Sequence, residues 1–249
     1  MTHLPQHSAL KIPSAGPVVK PGLLLLDKPK GWTSHDVVAA VRGRLPRGTK
    51  VGHTGTLDPM ATGLLVLLVG PATREAARFQ ALPKVYSGSI RFGLETDTAD
   101  LEGKVVSESP VPPVEAEALQ RLLGEHVGDL ELLPPLYSAI KHHGRPLYEY
   151  ARRGLAVEVK PRLQRVYSWE LLAWAPPEAA FRLSCSGGTY VRSLAVAVGR
   201  KLGCGAAVSA LRREAVGSLR VEDAFGAEEG KRLGAGELLA RLRPVPAAP

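Results

Sequence analysis

Apolar residues form short continuous runs and alternating stretches along the chain, and both patterns predict strands. Leu23–Leu26 and Leu64–Val69 are continuous runs of strand length, which is typical of strands buried on both faces. Lys84–Phe92 alternates instead, and a period of two places Tyr86 and Phe92 on the same face. We therefore predict three strands of a sheet from these segments.

Helical spacing and end signals predict the helices. Thr33 or Ser34 caps a helix that runs to about Leu45, with Asp36 in its first turn. Further helices are predicted over Ala72–Phe79, Val114–His126, Leu147–Arg153 and Thr189–Leu202, and further strands over Arg162–Trp174, Ala179–Cys185 and, as strand or loop, Leu211–Val221. Strands and helices alternate without a regular βαβ rhythm, so we predict the α+β class.

No repeat and no glycine-serine linker divides the chain, which indicates one catalytic body over residues 22–223. Residues 1–21 are predicted to be a frayed or disordered N-terminal tail. After Asp223 the composition shifts to Ala, Gly, Glu and Pro. Residues 224–249 are therefore predicted to be a short C-terminal tail, with at most one small helix over Gly236–Arg243.

The charge balance narrows the class of partner. The chain has 32 Lys and Arg against 24 Asp and Glu, a net charge of +8. Such an excess favours an anionic partner, nucleic acid before an acidic membrane surface, although a basic surface also serves solubility alone.

The cysteine content and the lack of export signals in the sequence predict the cellular compartment of the protein. Cys185 and Cys204 form neither a disulfide framework nor a metal-ligand spacing, as expected in a reducing cytosol. The apolar runs are too short to cross a bilayer, and the first residues lack the pattern of a signal peptide. We therefore predict a cytoplasmic protein that does not associate with membranes.

The segment Gly52–Gly63 holds the main candidate for catalysis, Asp58. Its sequence is GHTGTLDPMATG, and it is rich in turn-forming residues just before an apolar run. A loop of this kind can present a carboxylate at the mouth of a sheet. An Asp in such a loop also commonly hydrogen-bonds its own backbone, so the motif alone leaves both interpretations open.

Two further segments supply candidate partners for Asp58. In Ser184–Arg192 a strand ends at a glycine pair and a helix begins, so free backbone amides favour an anion there. Arg192 is either a partner that keeps a carboxylate ionised or a surface residue. Tyr86 is either a core residue or a platform on which a base stacks.

Four basic residues make up a candidate RNA-backbone patch or else a solvated face: Lys141, Arg145, Arg152 and Arg153. Other common chemistries are not indicated. The chain contains no phosphate-binding GxxxxGK[ST] loop, no GxGxxG, no zinc-spaced histidine pair and no GxSxG elbow. Any chemistry must use carboxylate, Tyr, Arg, Lys and His side chains.

Taken together, the ordered motifs resemble the TruB family of tRNA pseudouridine synthases. The resemblance covers residues 22–223 and is carried by the leader Gly22–Ser34, by Gly52–Gly63, by Lys84 with Tyr86, by Thr96–Asp100, by Pro135–Lys141 with Gly144 and Tyr148, and by Gly188–Arg192. It implies the pseudouridine synthase fold, a mixed and mainly antiparallel sheet flanked by helices with a central active-site cleft.

The resemblance also implies an activity, the isomerisation of uridine 55 in the T-loop of tRNA, with base flipping and without metal or cofactor. By resemblance, Asp58 is the catalytic nucleophile, Arg192 its partner and Tyr86 the stacking residue. His53 contacts the T-loop, and Tyr190 and Leu211 line the uracil pocket. The T stem-loop of tRNA is then the expected partner, with no obligate protein partner.

Members of this family often continue into a C-terminal RNA-binding (PUA) domain, and residues 224–249 are too few for a full copy. Two other functions are compatible with parts of the pattern. One is a guide-RNA-dependent synthase subunit of the dyskerin type, which is expected to carry that extra domain. The other is a non-catalytic RNA chaperone, which would not require Asp58, Tyr86 and Arg192 together.

Overall fold

The structure of the protein is a computed structural model that describes residues 19–247, so most of the predicted N-terminal tail lies outside the described residues. The strands are β1 Gly22–Lys28, β2 Val51–His53, β3 Thr62–Val69, β4 Lys84–Phe92, β5 Leu94–Thr96, β6 Val105–Glu108, β7 Gly128–Leu132, β8 Lys141–His142, β9 Arg145–Pro146, β10 Arg162–Ala175, β11 Glu178–Cys185, β12 Ala206–Val216, β13 Leu219–Arg220 and β14 Phe225–Gly226.

The α-helices are α1 Ser34–Arg42, α2 Ala76–Ala81, α3 Ala116–Gly124, α4 Leu147–Arg152, α5 Val191–Leu202, α6 Ala227–Arg232 and α7 Ala235–Ala240, with 3-10 helices at Gly70–Glu75 and Val221–Asp223. None of the helices within residues 19–247 is long and apolar enough to cross a membrane.

One ten-stranded sheet organises the molecule. Its order is β14-β1-β3-β12-β4-β11-β10-β7, with β2 added to β3 and β13 to β12. The β1–β14 and β3–β12 pairs are parallel and the other pairs are antiparallel. The α+β prediction, with a mixed and mainly antiparallel sheet, is therefore confirmed.

Apolar clusters cover both faces of the sheet. One cluster lies between α3, α5 and the central strands and includes Phe92, Phe181 and Leu194. A second lies between α1, α7 and the alternate residues of β1 and β3, and a third covers the opposite face of those two strands. Burial on both faces explains why β1 and β3 are continuous apolar runs in the sequence.

Local chemistry accounts for most element boundaries. Thr33 accepts a hydrogen bond from the Asp36 backbone, and the Asp36 carboxylate accepts one from the Thr33 backbone, so the two form a capping box for α1. This helix ends at Arg42 rather than near Leu45. Gly203 adopts a left-handed conformation (φ 87°) and ends α5 as predicted.

Several other predicted boundaries were also wrong. Helix α5 begins at Val191 and not at Thr189, because the backbone N–H of Thr189 donates to Ser186 in a separate turn. The segment expected as one helix from Ala72 is a 3-10 helix followed by α2. Strand β12 begins at Ala206 and not at Leu211. The prediction missed its first residues because they are small and lack the apolar contrast that marks a strand in the sequence.

Residues 224–247 pack against the edge of the sheet. Strand β14 pairs with β1, and the backbones of Leu23 and Arg243 exchange two hydrogen bonds of 2.8 and 2.9 Å. Leu238, in α7, is fully buried. The predicted small helix over Gly236–Arg243 corresponds to α7, whereas α6 was not predicted.

Gly88 allows a close contact between the two central strands, and we predict that Gly88→Ala destabilises the protein. A Cβ at this position would lie 2.3 Å from the Ala210 carbonyl oxygen. Overpacking of a core typically costs about 1–3 kcal/mol of unfolding free energy, which urea titration measures. Gly124→Ala is the matched control, since nothing lies within 4 Å of a Cβ there. Equal stability of the two variants would contradict the steric account.

Candidate active site

A cleft of about 610 Å³ opens beside the central strands. The loop after β2, the start of β4, the middle of β12, the turn before α5 and residues 138–140 all contribute to its wall. All six catalytic and substrate-binding candidates from the sequence line it: His53, Asp58, Tyr86, Tyr190, Arg192 and Leu211. They come from four separate parts of the chain.

The backbone that carries Asp58 is held by hydrogen bonds to α1 and by its own turn. The Ser34 hydroxyl donates to the Leu57 carbonyl at 3.1 Å and accepts from the Leu57 N–H at 2.8 Å. The Ala61 N–H donates to the Asp58 carbonyl at 3.1 Å. Leu57 and Ala61 are buried, so the loop is fixed on both sides of the carboxylate.

A fully buried lysine joins the loop to the segment that precedes α1. The ammonium of Lys28 donates to the carbonyls of Trp32 at 2.6 Å, Pro29 at 3.0 Å and Pro59 at 3.3 Å. Burial lowers the pKa of Lys28 to about 8, despite the opposing influence of Asp58. Lys28 therefore ties the backbone at Pro59 to the segment before α1, and the sequence analysis did not single it out.

Gly63 explains the end of the motif. A Cβ on Gly63 would lie 2.3 Å from the Arg213 carbonyl oxygen, and its φ of 98° favours glycine. Gly63 and Arg213 are partners in the parallel pairing of β3 and β12. The glycine therefore lets β12 approach the strand that leaves the Asp58 loop.

Asp58 and Arg192 form a bidentate ion pair. The Arg192 Nε lies 2.9 Å from Asp58 Oδ2, and Nη2 donates to Oδ1 at 3.0 Å. Only 4% of the Arg192 side chain is exposed, against 31% for Asp58. The guanidinium is thus behind the carboxylate, which keeps an accessible side toward the cleft.

Carbonyl oxygens and a second carboxylate complete the surroundings of Arg192. Its Nη1 donates to the Thr98 carbonyl at 2.8 Å, and Nη2 also donates to the Tyr137 carbonyl at 2.9 Å. Asp100 Oδ2 lies 3.9 Å from Nε. The arginine therefore ties together α5, the Asp58 loop, the turn after β5 and the segment before β8.

The environment of Asp58 acts on its pKa in opposite directions. Burial is the largest influence and raises the pKa of Asp58 above its usual range, and the nearby Asp100 carboxylate raises it further. The Arg192 guanidinium opposes both and lowers the pKa. The ion pair is therefore what favours the charged carboxylate at this partly desolvated position.

Tyr86 lies in the cleft beside an unpredicted arginine. The two are direct partners in the antiparallel pairing of β4 and β12, and Arg213 is 2% exposed. The Arg213 side chain donates to the carbonyls of Leu64 at 2.8 Å and Gly55 at 3.1 Å. Burial raises the pKa of the Tyr86 phenol, so the ring remains neutral. Alternation with Leu211 could have placed Arg213 on this face.

His53 is a partly buried, neutral ring that lines the cleft. Burial lowers its pKa to about 4, with His35 and Arg213 adding to the effect. The His35 and His53 rings meet edge to face, with centroids 5.4 Å apart. His53 can therefore offer a flat, uncharged surface to a ligand.

The remaining two pocket residues complete the walls. Tyr190 immediately precedes α5, and its backbone N–H donates to Gln164 Oε1 at 3.1 Å. Burial raises the pKa of the Tyr190 phenol. Leu211, which is 8% exposed, faces the cleft from β12. Together they make the inner wall aromatic and apolar.

The four basic residues predicted as an RNA-backbone patch lie outside the cleft. Lys141 and Arg145 are on the β8–β9 hairpin, and Arg152 and Arg153 are at the end of α4; all four are exposed. The residues just before them, 138–140, line the cleft. The patch therefore begins at the edge of the candidate site.

This arrangement suits covalent chemistry on a planar heterocycle. A carboxylate, held by a bidentate arginine, faces a space that also contains an aromatic ring and an apolar wall. Aromatic side chains provide stacking surfaces for bases, and aspartate can act as a nucleophile.

A family comparison and individual relatives give one consistent result. Residues 44–191 match the TruB family pseudouridylate synthase (N terminal domain). A protein of Opitutus terrae called tRNA pseudouridine synthase B is 47% identical over 90% of this chain and 92% of its own length. A protein of the same name from Aromatoleum aromaticum is 44% identical over 91% of this chain and 73% of its own length.

Solved structures agree on the fold. A chain of a Cbf5-Nop10-Gar1 complex matches with a TM-score of 0.66 at 26% identity, covering 90% of this chain and 60% of that one. A chain of an H/ACA ribonucleoprotein bound to a substrate RNA containing 2′-deoxyuridine matches with a TM-score of 0.60 at 27% identity, covering 83% and 51%. This chain thus spans about half to three-fifths of those two chains.

Proposed function

Since the chain belongs to the TruB family of pseudouridylate synthases and is a tRNA pseudouridine synthase, we propose that it isomerises uridine 55, in the T-loop of tRNA, and that Asp58 is the nucleophile. The observation that carries the proposal is the bidentate pair of Asp58 with Arg192 in a cleft that also contains Tyr86. Such a pair keeps an accessible carboxylate charged and oriented.

The proposed reaction conserves all atoms. The bond from uracil N1 to ribose C1′ breaks, a bond from C5 to C1′ forms, and the proton on C5 is replaced by one on N1. Asp58 acts either by attacking C1′ while uracil leaves or by adding to C6 of the base. In both routes the detached uracil must turn without leaving the pocket. Tyr86, Tyr190 and Leu211, which line the cleft, are proposed to retain it.

Access to a base in a folded loop requires that the base leave its stack. We propose that Tyr86 stacks on the flipped uracil, which is worth about 1–3 kcal/mol for a base on an aromatic face. His53 lines the cleft and, as a neutral ring, suits contact with the bases of the T-loop that stay behind. Lys141, Arg145, Arg152 and Arg153 are proposed to contact the RNA backbone.

We further propose that the protein works in the cytoplasm as a single catalytic domain, without a metal, a cofactor or an obligate protein partner. The relatives called tRNA pseudouridine synthase B are 40–47% identical to the chain. Chains from guide-RNA-type complexes reach only 24–27% identity. This difference supports a stand-alone enzyme over a guide-RNA-dependent subunit, and the intact ion pair supports catalysis over an exclusive chaperone role.

The site of modification tests the proposal directly. We expect an unmodified tRNA transcript incubated with the pure protein to gain one pseudouridine, at position 55. Mass spectrometric mapping after chemical labelling of pseudouridine identifies the position. The control is the same transcript with cytidine at position 55. Pseudouridine elsewhere in the transcript would contradict the assigned specificity, and its absence from every position would contradict the activity.

A further inference from the structure

A second groove, of about 600 Å³, lies on the β2 side of the molecule. Its basic lining residues are Arg42, Arg47 and Lys50, and we call it the β2 groove. The other lining residues are Gly43, Leu45, Pro46, Gly48, Thr49, Val51, Gly52 and Thr73, so none of the lining residues within 19–247 is acidic. A groove with this composition concentrates positive potential.

The charges of the β2 groove are available to a ligand. Arg42, Arg47 and Lys50 are exposed, and with the other residues of 19–247 they form neither an ion pair nor a side-chain hydrogen bond. Many other arginines of the protein are paired, such as Arg212 with Asp27 and Arg200 with Glu95. Clustered cations without counter-charges repel one another unless an anion is bound.

The backbone of the β2 groove is well held. Thr49 N–H donates to the Pro46 carbonyl at 3.1 Å across a turn in which Gly48 has a φ of 84°, as a type II turn requires at this position. The Lys50 carbonyl accepts from Gly70 N–H at 2.8 Å, and Leu45 is buried. Arg47 is thereby placed at the tip of the turn, so the charges are presented on a preformed surface.

The β2 groove and the catalytic cleft are neighbours along strand β2. Val51 and Gly52 line the groove, and His53, the last residue of the same strand, lines the cleft. A strand rises about 3.3 Å per residue, so Lys50 lies about 10 Å along the chain from His53. The two sites are also close on a second segment, since Thr73 borders the groove and Ala77, four residues later, borders the cleft.

We infer that the β2 groove is a second RNA-binding surface, which holds the phosphate backbone of the stem next to the loop whose base enters the cleft. The inference rests on the proposed function for the identity of the RNA. Arg and Lys neutralise phosphates and release their counterions, and this contribution to affinity does not depend on sequence. An acidic membrane surface is disfavoured because the three charges line a groove that neighbours the cleft along β2.

The test compares two triple variants of the full-length protein in binding to an unmodified tRNA transcript. Arg42→Gln with Arg47→Gln and Lys50→Gln removes the groove charges. Lys104→Gln with Arg121→Gln and Arg182→Gln removes three exposed charges that line neither site. Fluorescence anisotropy gives Kd between about 50 and about 200 mM salt.

We expect the groove variant to raise Kd at least about tenfold and to reduce the slope of log Kd against log salt by about 2 to 3, since each duplex phosphate contact contributes about 0.9. The control variant should change Kd less than about threefold. A groove variant that binds like the control would overturn the inference, as would an undiminished salt slope.

Two further measurements address misfolding of the groove variant and binding of the groove to a membrane. Arg42→Lys with Arg47→Lys keeps the charges and should retain binding, which excludes misfolding as the cause of a loss. The unsubstituted protein should not bind anionic phosphatidylserine vesicles above background. If it did bind them tightly, and the groove variant lost vesicle binding but kept tRNA binding, the groove would not be an RNA surface. Pseudouridine formation by the unsubstituted protein is measured separately, so a failure of the proposed activity does not decide the binding comparison.

Discussion

Asp58→Asn is expected to abolish pseudouridine formation and to leave the Kd for tRNA within about tenfold. The amide keeps the shape of the side chain and can still accept from Arg192, but it has neither the charge nor the nucleophilicity of a carboxylate. Removal of a nucleophile from other covalent catalysts costs several orders of magnitude, so we expect a loss of at least about 10⁴-fold. Single-turnover assays with excess protein measure this rate.

The control for this variant is Asp129→Asn, the same change at an exposed ion pair with Arg165 on the far edge of the sheet. It should retain the activity of the unsubstituted protein. Binding must be measured for both variants, because the proposal separates chemistry from recognition. Substantial turnover by purified Asp58→Asn would refute the role of this carboxylate.

Arg192→Gln is expected to lower the rate at neutral pH by about 100-fold or more. The substitution removes the influence that lowers the pKa of Asp58, while burial and Asp100 continue to raise it. The carboxyl then protonates at a higher pH, so activity should fall further as the pH is lowered and should partly recover as it is raised. A pH–rate profile of kcat measures the effect. Removing one partner of a buried ion pair also typically lowers the free energy of unfolding, by about 3–5 kcal/mol.

Arg192→Lys separates charge from geometry. Lysine keeps a cation but loses the planar fork that contacts both carboxylate oxygens and the carbonyls of Thr98 and Tyr137. We expect its pH profile to resemble that of the unsubstituted protein at a reduced maximum rate. If Arg192→Gln and Arg192→Lys had profiles of the same shape, the electrostatic part of the explanation would be wrong.

Much of the fold was predictable because its signals are local. The Thr33–Asp36 capping box, the left-handed Gly203 and the alternation of β4 all depend on residues a few positions apart. Strand β4 has the predicted bounds, Lys84–Phe92. Strand β12 was only partly identified. The small residues at its start are buried because α5 packs on the strand, and they form no hydrophobic pattern that would mark a strand in the sequence.

Local sequence signals identified only part of the candidate site. Asp58 stood out because its loop is built from turn-forming residues, whereas the residues alone favoured Arg192 as a surface residue. Resemblance to a family joined the two. Lys28 and Arg213 remained unnoticed, since a charged residue that satisfies buried carbonyl groups has no distinctive local pattern.

By itself the sequence determined the longer strands and helices, the basic balance and the loop that carries Asp58. Those properties follow from short-range sterics, capping and hydropathy, which act between neighbours in the chain. Only the tertiary structure decided that Asp58 meets Arg192, 134 positions away, and that Tyr86 lies beside Arg213. Strand order and register bring these groups together, and both are set by the packing of the whole sheet, since a shift of one residue would turn each side chain to the opposite face.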